Sequence, residues 1–133
     1  IITGGAGFMG SNAALYFNKK GWNILIIDNF SRGGSLNNLR ILKKKIKLKS
    51  FKADVANYGI ISKIISKTKP NLILHCAGQV AVTKSVINPR RDFNSNALGT
   101  FNILESIRNF SKKSKLINIS TNKVYGNITK KLK

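Results

Sequence analysis

Short apolar runs alternate along the chain with stretches whose apolar residues recur at helical spacing, which predicts repeated strand–helix–strand units around a parallel sheet. Ile1-Ile2 reads as the end of a first strand, and Phe8 to Lys20 as a helix carrying Ala13, Ala14, Leu15 and Phe17, stopped by Gly21. Asn23 to Asp28 is the second strand. A loop with Ser31, Gly33 and Gly34 leads to a short helix near Leu36 to Leu42, and Ile46 to Ala53 alternates apolar residues with lysine as a sheet-edge strand would. Asn57 to Thr68 places Ile60, Ile61, Ile64 and Ile65 at 3.6-residue spacing before Pro70. Leu72 to Ala77 is a continuous apolar run, the mark of a central strand covered on both faces. Asn88-Pro89 is a helix start with Asn as cap and Pro in the first turn, and that helix is expected to reach Phe110, burying Phe93, Ala97, Phe101 and Leu104. Lys115 to Ser120 is the fifth strand. No internal repeat, low-complexity tract or linker interrupts the pattern.

Between the first strand and the first helix lies Thr3-Gly4-Gly5-Ala6-Gly7-Phe8-Met9-Gly10, which satisfies both the GxGxxG and the GxxGxxG spacing. Glycines are needed where a tight turn must bring backbone N–H groups against a pyrophosphate at the positive end of the following helix. Asp28 closes the second strand eighteen residues after Gly10, where a carboxylate can accept hydrogen bonds from the hydroxyls of an adenosine ribose. A carboxylate there repels a ribose 2′-phosphate, so NAD is favoured over NADP, with Arg32 as the opposing charge nearby. Asp54, in Ala53-Asp54-Val55 at the end of the third strand, is placed to reach the adenine amino group, an exposed turn aspartate being the alternative. These flanks predict a Rossmann-type doubly wound α/β fold, a three-layer sandwich with strand order 3-2-1-4-5 and a crevice at the ends of strands one and four, lined by Gly4, Gly7, Gly10, Asp28 and Ala77.

Composition changes this picture little. The 133 residues suit a single domain, and 42% hydrophobic residues are enough for one packed core. A single cysteine, Cys76, excludes an internal disulfide, and with the lone His75 beside it in an apolar run no metal site is expected; both read as core residues. The formal net charge of +20 raises the prospect of nucleic-acid binding. Lysine is, however, spread over the whole chain together with abundant Asn and Ile, and runs such as Lys43-Lys44-Lys45 and Lys112-Lys113 fall where elements join. No aromatic-interleaved basic motif accompanies the charge, so a solvated surface is expected and no nucleic-acid partner. A basic rim would attract an anionic nucleotide. No apolar run reaches membrane-spanning length, so a soluble, cytoplasmic protein without a membrane partner is expected. Both ends read as cut, the first running directly into the glycine loop and the last stopping without a closing element.

The glycine turn, Asp28-Asn29-Phe30-Ser31-Arg32, Asp54-Val55, His75-Cys76-Ala77-Gly78-Gln79, Asp92 to Thr100 and Ser120-Thr121-Asn122-Lys123-Val124-Tyr125-Gly126 follow one another as in the extended short-chain dehydrogenase/reductases, and the chain resembles the NAD-dependent epimerase/dehydratase family over its whole length. Ala77 to Ser85 and Ser120 to Gly126 are most similar to the CDP-paratose (CDP-tyvelose) 2-epimerases within it. The resemblance implies that the chain is the cofactor-binding part of a longer, homo-oligomeric enzyme, short of its later strands and C-terminal substrate domain. It implies NAD as cofactor, held by Gly4, Gly7, Phe8, Met9, Gly10, Asp28, Asn29, Ser31, Arg32, Asp54, Val55, Ala77, Gly78, Gln79 and Asn96, and a CDP- or UDP-sugar met by Val82 and Ser85, in the loop after the fourth strand, and by Thr121 and Asn122. The implied chemistry is transient oxidation of a sugar hydroxyl, with Thr121 bonding the reacting group. The family's Tyr-x-x-x-Lys pair is absent. Tyr16-Phe17-Asn18-Lys19-Lys20 has the spacing but lies on the first helix, and Tyr125 is followed four residues on by Thr129, so Tyr125 is assigned to a structural turn.

Asn122-Lys123 stands where dehydratases of this family carry Asp-Glu, and neither residue supplies the acid and base that elimination of water requires. UDP-hexose 4-epimerisation is the near alternative. From other classes, a non-catalytic NAD-binding or redox-sensing protein, or a degraded gene remnant, would keep the same glycine turn and Asp28.

Overall fold

The computed structural model of the chain describes residues 1–121 and Val124. Five strands, β1 (Ile2–Thr3), β2 (Ile24–Asp28), β3 (Leu48–Lys52), β4 (Leu72–His75) and β5 (Lys115–Asn118), form one parallel sheet in the order β3-β2-β1-β4-β5. β1 lies at the centre, with Thr3 registered against Ile27 on one side and His75 on the other, so the chain reverses its direction of winding beside it. Helices α1 (Phe8–Lys19) and α2 (Ser35–Lys45) cover one face; α3 (Tyr58–Thr68) and α6 (Gly99–Phe110) cover the other. Between β4 and α6 run α4 (Val82–Ile87), α5 (Pro89–Phe93) and a π-helical segment, Asn94–Leu98.

The alternation of β-strand side chains divides the core in two. Leu25, Ile27 and Ile73 pack with Ile61, Ile64, Ile65 and Ile103 under α3 and α6. Ile24, Ile26 and Leu74 pack with Ala6, Ala14, Leu39 and Leu42 under α1 and α2. Three-layer order is thus written in consecutive residues of β2. Local signals set the helix ends: Asn57 Oδ1 accepts from Ile60 N–H at 3.1 Å to start α3, and Lys69 turns left-handed (φ 44°) before Pro70 to stop it. Lys43, Lys44 and Lys45 form the last turn of α2, where cations meet the negative end of the helix dipole.

The helix after Asn88 departs from expectation. Asn88 caps it as anticipated, accepting from Arg91 N–H at 2.9 Å with Pro89 in the first turn, but the run to Phe110 is broken by the π-helical segment. Phe93, Ala97, Phe101 and Leu104, expected in the core, are exposed, and the buried stripe is Gly99, Asn102, Ile103 and Ser106. Close approach decides this, not apolar count. A Cβ on Gly99 would stand 2.6 Å from Val55 Cγ2, so the helix fits only with its small side inward. Asn102 Nδ2 then donates to Val55 O at 2.9 Å and Ser106 Oγ to Asn102 O at 2.6 Å, leaving neither buried side chain unsatisfied.

Among the described residues no helix is long and apolar enough to cross a membrane. His75 is buried, as expected of a core residue, whereas Cys76 is half-exposed. Burial lowers the His75 imidazole to about 4. An imidazole kept neutral in the fold, yet free to protonate near pH 6.5 when unfolded, makes stability fully present above pH 6.5 and progressively lost as pH falls. The loss should level off near pH 4 at about 3 kcal/mol. Urea denaturation at stepped pH reads it, and a flat profile between pH 7 and 4.5 would refute it.

Candidate functional site

The chain leaves β1 through Gly4, whose φ of 62° turns it back on itself while its N–H still donates to Ile27 O at 2.8 Å. Gly7 N–H donates to Gly4 O at 3.0 Å, closing the turn, and α1 begins at once. The passage is narrow: a Cβ on Gly4 would lie 2.8 Å from Ala77 N, and one on Gly10 would lie 2.4 Å from Gly4 O. Gly7 caps α1 without a side chain, no acidic residue occupies the first turn, and the side chains of Phe8 and Met9 point out to solvent. The first N–H groups of a helix have no intrahelical acceptor and sit at the positive end of its dipole, so this end of α1 can accept an anion such as a phosphate.

Asp28 ends β2 directly beside the turn. Its Oδ2 accepts from Ala6 N–H at 3.0 Å and its Oδ1 from Phe30 N–H at 2.8 Å, the latter in a left-handed turn with φ 56°. A carboxylate offers about four acceptor sites, so two remain for the hydroxyls of a ribose. Asn38 on α2 grips the next peptide, donating to Ala6 O at 2.9 Å, so Ala6 is held at both its N–H and its carbonyl. Asn29 Nδ2 donates to Asp54 Oδ2 at 2.8 Å, joining the loops that follow β2 and β3. Ser31 and Arg32 are exposed on the β2 loop. Val55 is buried against α6 and its carbonyl accepts from Asn102 Nδ2 at 2.9 Å. The glycine turn, the ends of β2 and β3 and the β4 loop together fit a dinucleotide: a phosphate cradle, a ribose acceptor, and a loop beyond for its far end.

On the other side of β1, Ala77, Gly78 and Gln79 follow β4. Asn96, in the π-helical segment, clamps this loop by accepting from Gln79 N–H at 2.8 Å and donating to Gln79 O at 3.1 Å. Asp92 Oδ1 in turn accepts from Asn96 Nδ2 at 3.1 Å and from Ser85 Oγ at 2.7 Å. Val82 and Ser85, expected in a loop, lie on α4; Ala81 O accepts from Ser85 N–H at 3.1 Å, which winds the segment into a helical turn and leaves the Ser85 hydroxyl proton for Asp92. Thr121 follows β5, whose Asn118 is registered against His75 of β4, and so comes out at the same edge of the sheet. Asn122, Lys123, Tyr125 and Thr129 lie outside the described residues. Tyr16 sits on the far half of α1, exposed, with Lys20 Nζ 5.9 Å from its ring centroid, remote from the glycine turn.

A family model described as GDP-mannose 4,6 dehydratase matches residues 1–132. The chain belongs to this epimerase/dehydratase family. It is 40% identical to a CDP-paratose 2-epimerase of Salmonella typhi over 96% of its own length and 38% of the relative's, and 34% identical to a dTDP-D-glucose 4,6-dehydratase of Dictyostelium discoideum over 95% and 29%. Among solved structures, the UDP-Glc/GlcNAc 4-epimerase of Campylobacter jejuni superposes with a TM-score of 0.86 at 30% identity, covering 94% of this chain and 37% of that one. The UDP-glucose 4-epimerase of Thermus thermophilus in complex with NAD superposes with a TM-score of 0.74 at 29% identity, over 86% and 35%. The chain thus spans between 29% and 38% of the length of these relatives.

Within this family frame, two site residues escaped the sequence reading, Asn38 and Asp92. Asp92 was legible in principle: the chain has only four acidic residues, and Glu105 pairs with exposed Arg108, so three aspartates are left for the crevice end. Asn38 carried no signal, because an asparagine within a helix is unremarkable until its distant partner is known. Replacing Gly10 by Ala forces its methyl into Gly4 O and should lower stability by about 2–3 kcal/mol, the cost of overpacking. Gly33→Ala, facing open space, is the matched control and should change the urea midpoint little; equal midpoints for the two variants would refute the contact.

Proposed function

We propose that this chain is the NAD-binding part of a nucleotide-sugar epimerase that works by transient oxidation of a sugar hydroxyl, and that its substrate is CDP-paratose or CDP-tyvelose, epimerised at C-2. The observation that carries the reading is the Asp28 carboxylate, fixed by Ala6 N–H and Phe30 N–H beside an uncapped helix N-terminus. Gly4, Gly7, Phe8, Met9 and Gly10 would hold the pyrophosphate, Asp28 the adenosine ribose, Asn29 and Asp54 the adenine side, and Ala77, Gly78 and Gln79 the nearer ribose, with Asn96 keeping that loop in place. Bound NAD supplies a hydride acceptor that can return the hydride to either face of the ketone. Thr121 would hydrogen-bond the reacting hydroxyl, and a base supplied by the rest of the enzyme would take its proton. The identity to a CDP-paratose 2-epimerase supports the nucleotide, and Asn122-Lys123 in place of an acidic pair argues against dehydration. UDP-hexose 4-epimerisation is the reading the solved relatives favour. The whole enzyme is proposed to be a cytoplasmic homo-oligomer.

Asp28→Asn keeps an oxygen acceptor and removes the charge. It should weaken NAD by about 1–3 kcal/mol, the usual loss of a hydrogen bond to a charged group, and narrow the preference over NADP. Calorimetric titration with both cofactors measures this, and equal affinity of the unmutated protein for NAD and NADP would sink the assignment of Asp28.

Because the hydride leaves and returns to one carbon, the whole enzyme should epimerise CDP-paratose in D2O without acquiring carbon-bound deuterium. Thr121→Val should then lower kcat on the order of a hundredfold. Turnover of UDP-glucose alone would transfer the assignment to the 4-epimerases.

A further inference from the structure

His75 lies between the two halves of the crevice and touches both. Its Nδ1 is 2.5 Å from Thr3 Oγ1 at the end of β1, and its Nε2 is 3.2 Å from Thr100 Oγ1 at the start of α6. The hydroxyls on either side decide where the ring proton sits. Thr100 has one hydroxyl proton and gives it to Asn96 O at 2.6 Å, so towards His75 it can only accept, which requires a proton on Nε2. Thr3 Oγ1 accepts from Ala77 N–H at 3.3 Å and is free to give its own proton to Nδ1, which then must be bare. The bonds therefore run in one direction: Ala77 N–H to Thr3, Thr3 O–H to Nδ1, Nε2–H to Thr100, and Thr100 O–H to the Asn96 carbonyl.

We infer that His75 is a positioning residue, a neutral Nε2–H imidazole at the centre of a one-way hydrogen-bond chain that fixes Ala77 to Gln79 and the Asn96-bearing π-helical segment against β1. A π-helical insertion leaves carbonyls poorly matched within the helix, and such segments cluster at functional sites. Here Thr100 takes up the Asn96 carbonyl, and Asn96 in return fixes both polar groups of the Gln79 backbone. A leucine of similar size at position 75 would fill the space and leave Thr3, almost wholly buried, without an acceptor.

The part of this inference that concerns the cofactor rests on the NAD-binding reading; the part that concerns the ring and the clamp does not. His75 is the chain's one histidine, so its ring 15N signals are unambiguous. They should show a protonated Nε2 and a bare Nδ1 at pH 7; an Nδ1–H tautomer overturns the inference. Thr100→Val keeps the shape of the side chain and removes the hydroxyl. It should speed amide exchange at Gln79 and weaken NAD about fivefold, the worth of one neutral hydrogen bond, with Thr100→Ser restoring both. If Thr100→Val changes neither Gln79 exchange nor NAD affinity, His75 is a satisfied core residue and the inference fails. If the unmutated protein does not bind NAD, yet the tautomer and Gln79 exchange behave as stated, the positioning role stands and the cofactor reading falls.

Discussion

Everything at the C-terminal edge of the sheet depends on one close passage, that of Gly10 over the carbonyl of Gly4. The first turn of α1 must lie almost on top of the strand it follows, and a single methyl at position 10 would stand 2.4 Å from an oxygen atom. This contact sets the angle at which α1 leaves β1, and hence where its free N–H groups point. It also places Gly4 against the backbone of Ala77, so the β4 loop can close on the same point. The open helix N-terminus, the angle between strand and helix and the meeting of two loops are one geometric fact.

The scarcity of acids shows how the remaining polar groups are deployed. Asp28, Asp54 and Asp92 each accept more than one hydrogen bond, and each joins segments that the sheet alone would leave apart: glycine turn to β2, β2 loop to β3 loop, and α4 to the π-helical segment. Among the described residues, lysines such as Lys43, Lys44 and Lys45 sit at helix ends and on exposed faces, while Asp28 and Asp54 accept from backbone N–H groups and Asp92 from the side chains of Ser85 and Asn96. Removing such an aspartate would leave N–H groups without partners, so its conformational role and its role toward a ligand cannot be separated by an alanine substitution alone.

The layered sheet was legible because its signals are local and repeated: consecutive residues of β2 point into two different cores, and Asn57 and Asn88 cap their helices as their side chains dictate. The rotation of α6 was not. Phe93, Ala97, Phe101 and Leu104 suggested one face, but Gly99, Asn102 and Ser106 occupy the core because Val55 leaves no room for anything larger at Gly99 and offers a carbonyl to Asn102. That outcome depends on a contact between residues 47 apart, which no periodicity encodes. The same holds for Asn38 and Ala6, and for the tie between Asn29 and Asp54. Motif spacing found the glycine turn and Asp28; it could not find what holds them in place.

That holding bears on binding. Asp28 is already oriented by two backbone donors, and Ala6, one of the two, is itself fixed through its carbonyl by Asn38, so a ribose arriving at the carboxylate would find lone pairs aimed and side-chain freedom already lost. The Gln79 backbone is prepared in the same way by Asn96. Groups fixed before the ligand arrives convert more of each hydrogen bond into affinity than groups that must be ordered by it. The polar ties reach as far as α4, where Ser85 Oγ donates to Asp92 Oδ1, while Val82 on the same helix is left largely exposed to solvent.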